Sequence, residues 1–202
     1  MKKGMIKCIL IDNAGVLINT DCNSFYKKLT EHSPYNWQYI DKSIEDRNFH
    51  IMEKGEISVK EWFKRVCKKY KIKDLNYEWL KKEWVKIFHR NIQIEGFVRK
   101  NYKKYKIWML TNTNSVHYSY LKKKFPIYNF IKNKIISCHI RMAKADKNIY
   151  VYTLKKIRFK PKECLFIDNK LENIITARKL GINSILYNNF KQFKKELRKY
   201  NI

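Results

Sequence analysis

Ile6-Lys7-Cys8-Ile9-Leu10-Ile11-Asp12-Asn13-Ala14-Gly15-Val16-Leu17 is the stretch from which the fold is read. An apolar run breaks off at an acid, and a glycine follows three residues later. Short apolar runs bounded by turn residues read as strands of a parallel sheet buried on both faces. In open sheets of that kind, ligands bind beyond the carboxyl ends of the strands. The pattern therefore puts Asp12 at a ligand-binding edge, although an Asp in that place also serves as a plain cap of the next turn.

Two later stretches repeat the pattern. Ile107-Trp108-Met109-Leu110-Thr111-Asn112 ends in a hydroxyl and an amide, and Cys164-Leu165-Phe166-Ile167-Asp168-Asn169 ends in another acid. Ile135-Ile136-Ser137-Cys138 and residues 182–187 read as two further strands. Phe97-Val98 with Tyr102 marks a short helix before the strand at 105–111. Helical spacing follows over 115–124, then at Ile149, Tyr152, Leu154 and Ile157. Glu172, Ala177 and Leu180 lie on a helix that Gly181 stops, and 190–199 reads as a basic terminal helix. Strands alternating with helices predict a parallel α/β sheet.

The stretch after the first strand is different, being helical throughout. Phe25, Tyr26 and Leu29 mark a helix over 22–32, and Trp37, Ile40, Ile44 and Ile51 suggest a second. In Glu53-Lys54-Gly55-Glu56-Ile57-Ser58, Gly55 reads as a helix stop. Ser58 reads as the next N-cap, with Glu61 completing a capping box. Val59, Trp62, Phe63, Val66 and Tyr70 share one face of that helix, and Trp79, Leu80, Trp84 and Ile87 mark another over 77–88. Aromatic residues at this spacing are core-forming rather than a ligand box. The expected organisation is a core domain of residues 1–18 and 93–202 with a helical cap domain, 19–92, inserted after the first strand.

Bulk composition bounds the reading. A chain of 202 residues accommodates one domain with an insertion. A hydrophobic content of 45%, with five Gly and three Pro, excludes a disordered or collagen-like chain. No apolar run reaches the length of a membrane span. The start Met1-Lys2-Lys3 leads into a run that holds Lys7 and ends at Asp12, which makes a poor secretion signal. Of five cysteines, Cys8, Cys138 and Cys164 fall in expected strands, where a buried thiol is ordinary. None forms a close metal-binding pair, and an odd count without a framework points to a reducing cytoplasm.

The net charge of +27 admits binding to nucleic acid or an anionic surface. It is built from 37 Lys against 8 Arg, alongside 19 Asn, 26 Ile and only 4 Ala, which is the usage of AT-rich codons. Bases chosen for readout would favour Arg, whose planar fork matches phosphate and guanine edges. No specific nucleic-acid partner and no membrane partner is expected. A basic surface still draws in anionic substrates.

The order Asp12, Thr111, Lys144, Asp168, with Lys144 set in Arg141-Met142-Ala143-Lys144-Ala145-Asp146, resembles the haloacid dehalogenase superfamily of phosphotransferases over nearly the whole chain. Three of the four close a strand or open a loop. The resemblance implies a Rossmann-like core, a parallel sheet with helices on both faces, and the helical cap. It implies Asp12 as the nucleophile that becomes an aspartyl-phosphate. Thr111 would donate its hydroxyl to the phosphoryl group, Lys144 would neutralise charge, and Asn112 would support the same loop. Mg2+ would be held by Asp12, the backbone carbonyl of Ala14 and Asp168, few protein carboxylates being what that ion prefers.

Leu110-Thr111-Asn112-Thr113-Asn114-Ser115-Val116-His117 is similar to the second motif of the bacterial glucose-1-phosphate phosphatase branch. Glu53 to Ser58 resembles that branch's cap, and Phe166-Ile167-Asp168-Asn169 through Asn173 its last motif. This implies a magnesium-dependent phosphatase of small phosphorylated metabolites, with a sugar phosphate as substrate. Ala14 stands where the superfamily's phosphatases usually carry a proton-transferring Asp, which implies slow turnover. Two other readings remain open: a dehalogenase-type hydrolase, and a non-catalytic binding protein of the same fold.

Overall fold

The computed structural model describes residues 5–202. Residues 1–4 of the expected core segment, with the basic start Met1-Lys2-Lys3, lie outside the described residues. The elements run β1 (Cys8–Ile11), β2 (Ile18–Thr20), α1 (Asn23–Thr30), α2 (Trp37–Ile44), α3 (Arg47–Glu53), α4 (Val59–Lys69), α5 (Tyr77–Trp84) and β3 (Phe88–Arg90). They continue as α6 (Ile92–Asn101), β4 (Lys106–Thr111), α7 (Ser115–Lys124), β5 (Asn133–Ile136), α8 (Ser137–Ile140), α9 (Lys147–Ile157), β6 (Cys164–Asp168), α10 (Leu171–Lys179), β7 (Asn183–Leu186) and α11 (Phe190–Leu197).

β1 is the central strand of a five-stranded parallel sheet of order β5-β4-β1-β6-β7. Its register sets Ile11 beside Met109 of β4 and Ile167 of β6, so Asp12 comes level with Asp168 while β4 runs on to Thr111. The pleat sends alternate side chains to opposite faces. Ile9, Ile11, Met109 and Ile167 enter one core with Val98 of α6, Leu121 of α7 and Phe193 of α11. Leu10, Leu110 and Phe166 enter the other with Ile149 of α9 and Ile174 of α10. Burial on both faces explains why these strands are unbroken apolar runs in the sequence.

β2 and β3 form a two-stranded antiparallel ribbon, and α1 to α5 lie between them in the chain. Their aromatic residues pack on one another. Trp62 stacks on Trp84 with ring centroids 4.7 Å apart, and Phe25 stacks on Trp84 at 6.0 Å. Among the described residues, no helix is long and apolar enough to cross a membrane.

Four local expectations need correction. The helix expected across Trp37 to Ile51 is two helices, because the Asp46 carboxylate accepts hydrogen bonds from the Asn48 and Phe49 N–H groups and starts α3 afresh. The strand expected through Cys138 stops at Ile136, and Cys138 is a partly buried thiol in α8. There the Ser137 hydroxyl bonds the main chain of Thr113, drawing the backbone out of the ladder. Phe88 opens β3 instead of closing the helix before it. The expected cap at Ser58 is present, its hydroxyl accepting from the Glu61 N–H at 3.0 Å, but among the described residues the expected capping box is not completed, the Glu61 carboxylate accepting instead from Arg65 Nε at 2.9 Å.

Candidate active site

Asp12 follows β1 directly, its N–H donating to the Ile167 carbonyl at 2.9 Å, and Asp168 is the last residue of β6. Adjacent parallel strands of equal reach therefore deliver two carboxylates side by side. The Lys144 ammonium lies between them, 2.6 Å from Asp12 Oδ1 and 2.6 Å from Asp168 Oδ2, and it donates to the Leu110 carbonyl at 2.9 Å. Asp12 and Lys144 are each 7% exposed and Asp168 is fully enclosed.

Each member is held by its neighbours. Asn112 makes a reciprocal pair with Lys144: its amide donates to the Lys144 carbonyl at 2.7 Å, and its oxygen accepts from the Lys144 N–H at 2.8 Å. Asp168 Oδ1 accepts from the Lys170 N–H at 2.8 Å and, with Oδ2, from the Asn173 amide at 3.0 and 3.1 Å. Gly15 adopts φ +82°, a backbone state that costs glycine little. A side chain there would also run into the amide of Asn169, so the loop after β1 lies directly against the loop after β6.

The electrostatics follow from burial and charge count. Burial pushes the Asp12 carboxyl above its ordinary range; Lys144 opposes this and Asp168 adds to it. Burial alone would pull the Lys144 ammonium down, but Asp12 and Asp168 together outweigh it and hold its pKa above the usual range. Two carboxylates face one ammonium, so the enclosed cluster carries a net negative charge. Its uncompensated unit and its hard oxygen donors suit a small divalent cation that keeps waters and phosphate as other ligands. Among the described residues, no group of three or more His, Cys, Asp or Glu side chains is placed to hold a metal.

A cavity of about 310 Å³ opens over this cluster. Asp12, Ala14, Asn112, Lys144 and Asn169 form its floor from the core, while Phe49, Glu53 and Trp84 reach it from α3 and α5. The structure thus brings Asp12, Lys144 and Asp168 into contact, joins Asn112 to them through the Lys144 main chain, and sets Ala14 on the cavity wall. Thr111 ends β4 but is 1% exposed, and its hydroxyl donates to the Asn112 carbonyl at 3.2 Å. Among the described residues, it makes no hydrogen bond to the other three.

Sequence reasoning did not single out several residues now seen at the site. Asn173 lay inside a quoted motif without a role, yet its amide grips both oxygens of Asp168. Tyr128 donates to the Asn13 side chain at 2.9 Å across 115 residues of sequence, which no local pattern reveals. His117 lines the cavity beneath Trp84, its ring centroid 4.0 Å from the indole's. Burial pulls the His117 imidazole down to about 3, so it is neutral.

Fold and site together define a parallel α/β protein with a lysine-bridged carboxylate pair at the carboxyl edge of its sheet. The family model for haloacid dehalogenase-like hydrolases matches residues 6–181, and the chain belongs to that family. It is 22% identical over 204 residues to the D-ribitol-5-phosphate phosphatase of Bacteroides thetaiotaomicron, covering 96% of this chain and 97% of that one. It is 20% identical over 197 residues to drimenol cyclase drtB of Aspergillus calidoustus, of which the chain spans 36% of the length and 96% of its own. It superimposes with a TM-score of 0.77 on a haloacid dehalogenase family enzyme of B. thetaiotaomicron solved in complex with magnesium and inorganic phosphate. There the identity is 27%, and the match covers 91% of this chain and 94% of that one.

Proposed function

We propose that the protein is a magnesium-dependent phosphatase of small phosphorylated metabolites, sugar phosphates among them, working through an aspartyl phosphate on Asp12. The observation that carries this reading is the Lys144 ammonium, 2.6 Å from both Asp12 and Asp168 at the ends of adjacent strands. Phosphoryl transfer demands positioning and charge neutralisation above all. An oxygen of the Asp12 carboxylate attacks phosphorus. Lys144 neutralises charge on the phosphoryl oxygens, with Asn112 as a further donor where the chain leaves β4; Thr111 would join it only by turning its hydroxyl away from the Asn112 carbonyl. Asp12, Asp168 and the Ala14 carbonyl would hold a magnesium ion, which supplies charge neutralisation for the transferring group when bound.

The cavity supports a small substrate, since its volume suits a phosphate and a short polyol. The match to a sugar-alcohol phosphatase over nearly the full length of both chains supports the same class. Residues 19–92 would act as a cap over a core of 1–18 and 93–202, giving the cavity its roof. Five free thiols support a reducing, cytoplasmic setting. The lysine-rich surface would concentrate anionic substrates without selecting a nucleic-acid sequence. A panel of phosphorylated metabolites, assayed with magnesium and with excess chelator, tests the reading. Release of phosphate from sugar or polyol phosphates only with magnesium is expected; full turnover in chelator would overturn it.

A further inference from the structure

The phosphatase reading leaves one task without a residue, because Ala14 has no proton to give or take. We propose that Glu53, at the end of α3, transfers that proton from the roof of the cavity. This rests on the phosphatase reading above. In the first step an Asp12 oxygen bonds to phosphorus, the bond from phosphorus to the leaving oxygen breaks, and the Glu53 carboxylic acid protonates that oxygen. In the second, the Glu53 carboxylate takes a proton from water as its oxygen bonds to phosphorus, and phosphate departs with the Asp12 carboxylate restored.

The placement of Glu53 is unusually well fixed for a residue of the helical insertion. Its carbonyl oxygen lies 2.6 Å from the Ser137 hydroxyl, which also bonds Thr113. Two residues on, Gly55 adopts φ +70° and sits so close to α8 that a side-chain carbon would meet the Cys138 carbonyl at 2.5 Å. The main chain at Glu53 is thus docked on the segments that follow β4 and β5. Its side chain lines the same cavity as Asp12 and Lys144, and among the described residues its carboxyl makes no hydrogen bond or ion pair.

The other titratable groups around the cavity are ion-paired, hold one protonation state through burial, or stand exposed to solvent. Lys144 is locked between its two carboxylates. Glu45 and Lys170, both exposed, face each other at 3.4 Å. His50 and Glu172 are exposed to solvent. Burial pushes the Cys22 thiol up to about 11 and the Tyr26 phenol higher still, so both keep their protons. His117 is neutral throughout the working range. Burial pushes the Glu53 carboxyl up to about 7, with Lys170 and Lys144 pulling against it and Glu45 and Asp12 adding to it. A carboxyl so placed is present in both forms near neutrality, as an acid–base group requires.

Glu53→Gln keeps the shape and removes the transferable proton. With magnesium, it is expected to lower kcat on a sugar phosphate by about 10²-fold or more. With 4-nitrophenyl phosphate, whose leaving oxygen needs no proton, the variant should still release one nitrophenolate per protein in a burst. Slow turnover follows, with the phosphoryl group retained on the protein in acid-quenched mass spectra. The limb of the kcat/KM pH profile near neutrality should vanish in Glu53→Gln and persist in Glu53→Asp. A wild type that cleaves both esters, with Glu53→Gln its equal and circular dichroism unchanged, overturns the role of Glu53 alone. A wild type that cleaves neither ester overturns the phosphatase reading and this role with it.

Discussion

Lys144→Met removes the ammonium from between two buried carboxylates while keeping most of the apolar stem. At 2.6 Å and an effective dielectric of about 20, each ion pair amounts to about 6 kcal/mol of attraction, much of it offset by taking the charges out of water. Removing one partner of a buried pair costs ~3–5 kcal/mol, and here two carboxylates are left facing each other. The expected loss sits at the upper end of that range, against a total stability of ~5–15 kcal/mol. Without Lys144, burial and mutual repulsion push Asp12 further up. The folded state then binds a proton that the unfolded chain has released, so stability falls as pH rises from the unfolded carboxylate range through the folded pKa. The loss is therefore greater at about pH 8 than at about pH 5. Urea unfolding followed by tryptophan fluorescence, in chelator so that no divalent cation compensates, reads both quantities. A variant within ~1 kcal/mol of wild type at the higher pH would refute the buried carboxylate–lysine cluster.

Gly55→Ala places a carbon against the Cys138 carbonyl in a left-handed backbone state; a loss of ~1–3 kcal/mol and a weakened hold on α3 are expected, measured by urea unfolding and by kcat. Asn112→Ala strands the Lys144 N–H and carbonyl, which should cost ~1–3 kcal/mol and lower kcat more than it raises KM, checked by steady-state kinetics. Binding to labelled nucleic acid should be weak, indifferent to sequence and steeply salt-dependent, and a salt titration by fluorescence anisotropy checks it.

The sheet was legible because its strands are buried on both faces and end abruptly in polar residues. Asp12, Thr111 and Asp168 could be placed at strand ends for that reason. Lys144 was different: it is one of 37 lysines, and only its order relative to the strand-end acids set it apart. Asn173 and Tyr128 escaped because their partners are fixed by the tertiary fold, not by spacing. The break between α2 and α3 was hidden because Ile51 continues the apolar period across the Asp46 cap. Glu53 stood in a quoted motif, but its carboxyl gained meaning only once Ser137 and Gly55 were seen to dock that turn onto the core.

The central claim is that Asp12 carries the phosphoryl group. Protein mixed with magnesium and a sugar phosphate, quenched in acid and digested, should yield the peptide containing Asp12 with one added phosphoryl group. Asp12→Asn protein should yield none and should not release phosphate. An unmodified Asp12 peptide at every quench time, together with phosphate release that survives Asp12→Asn, would contradict the account.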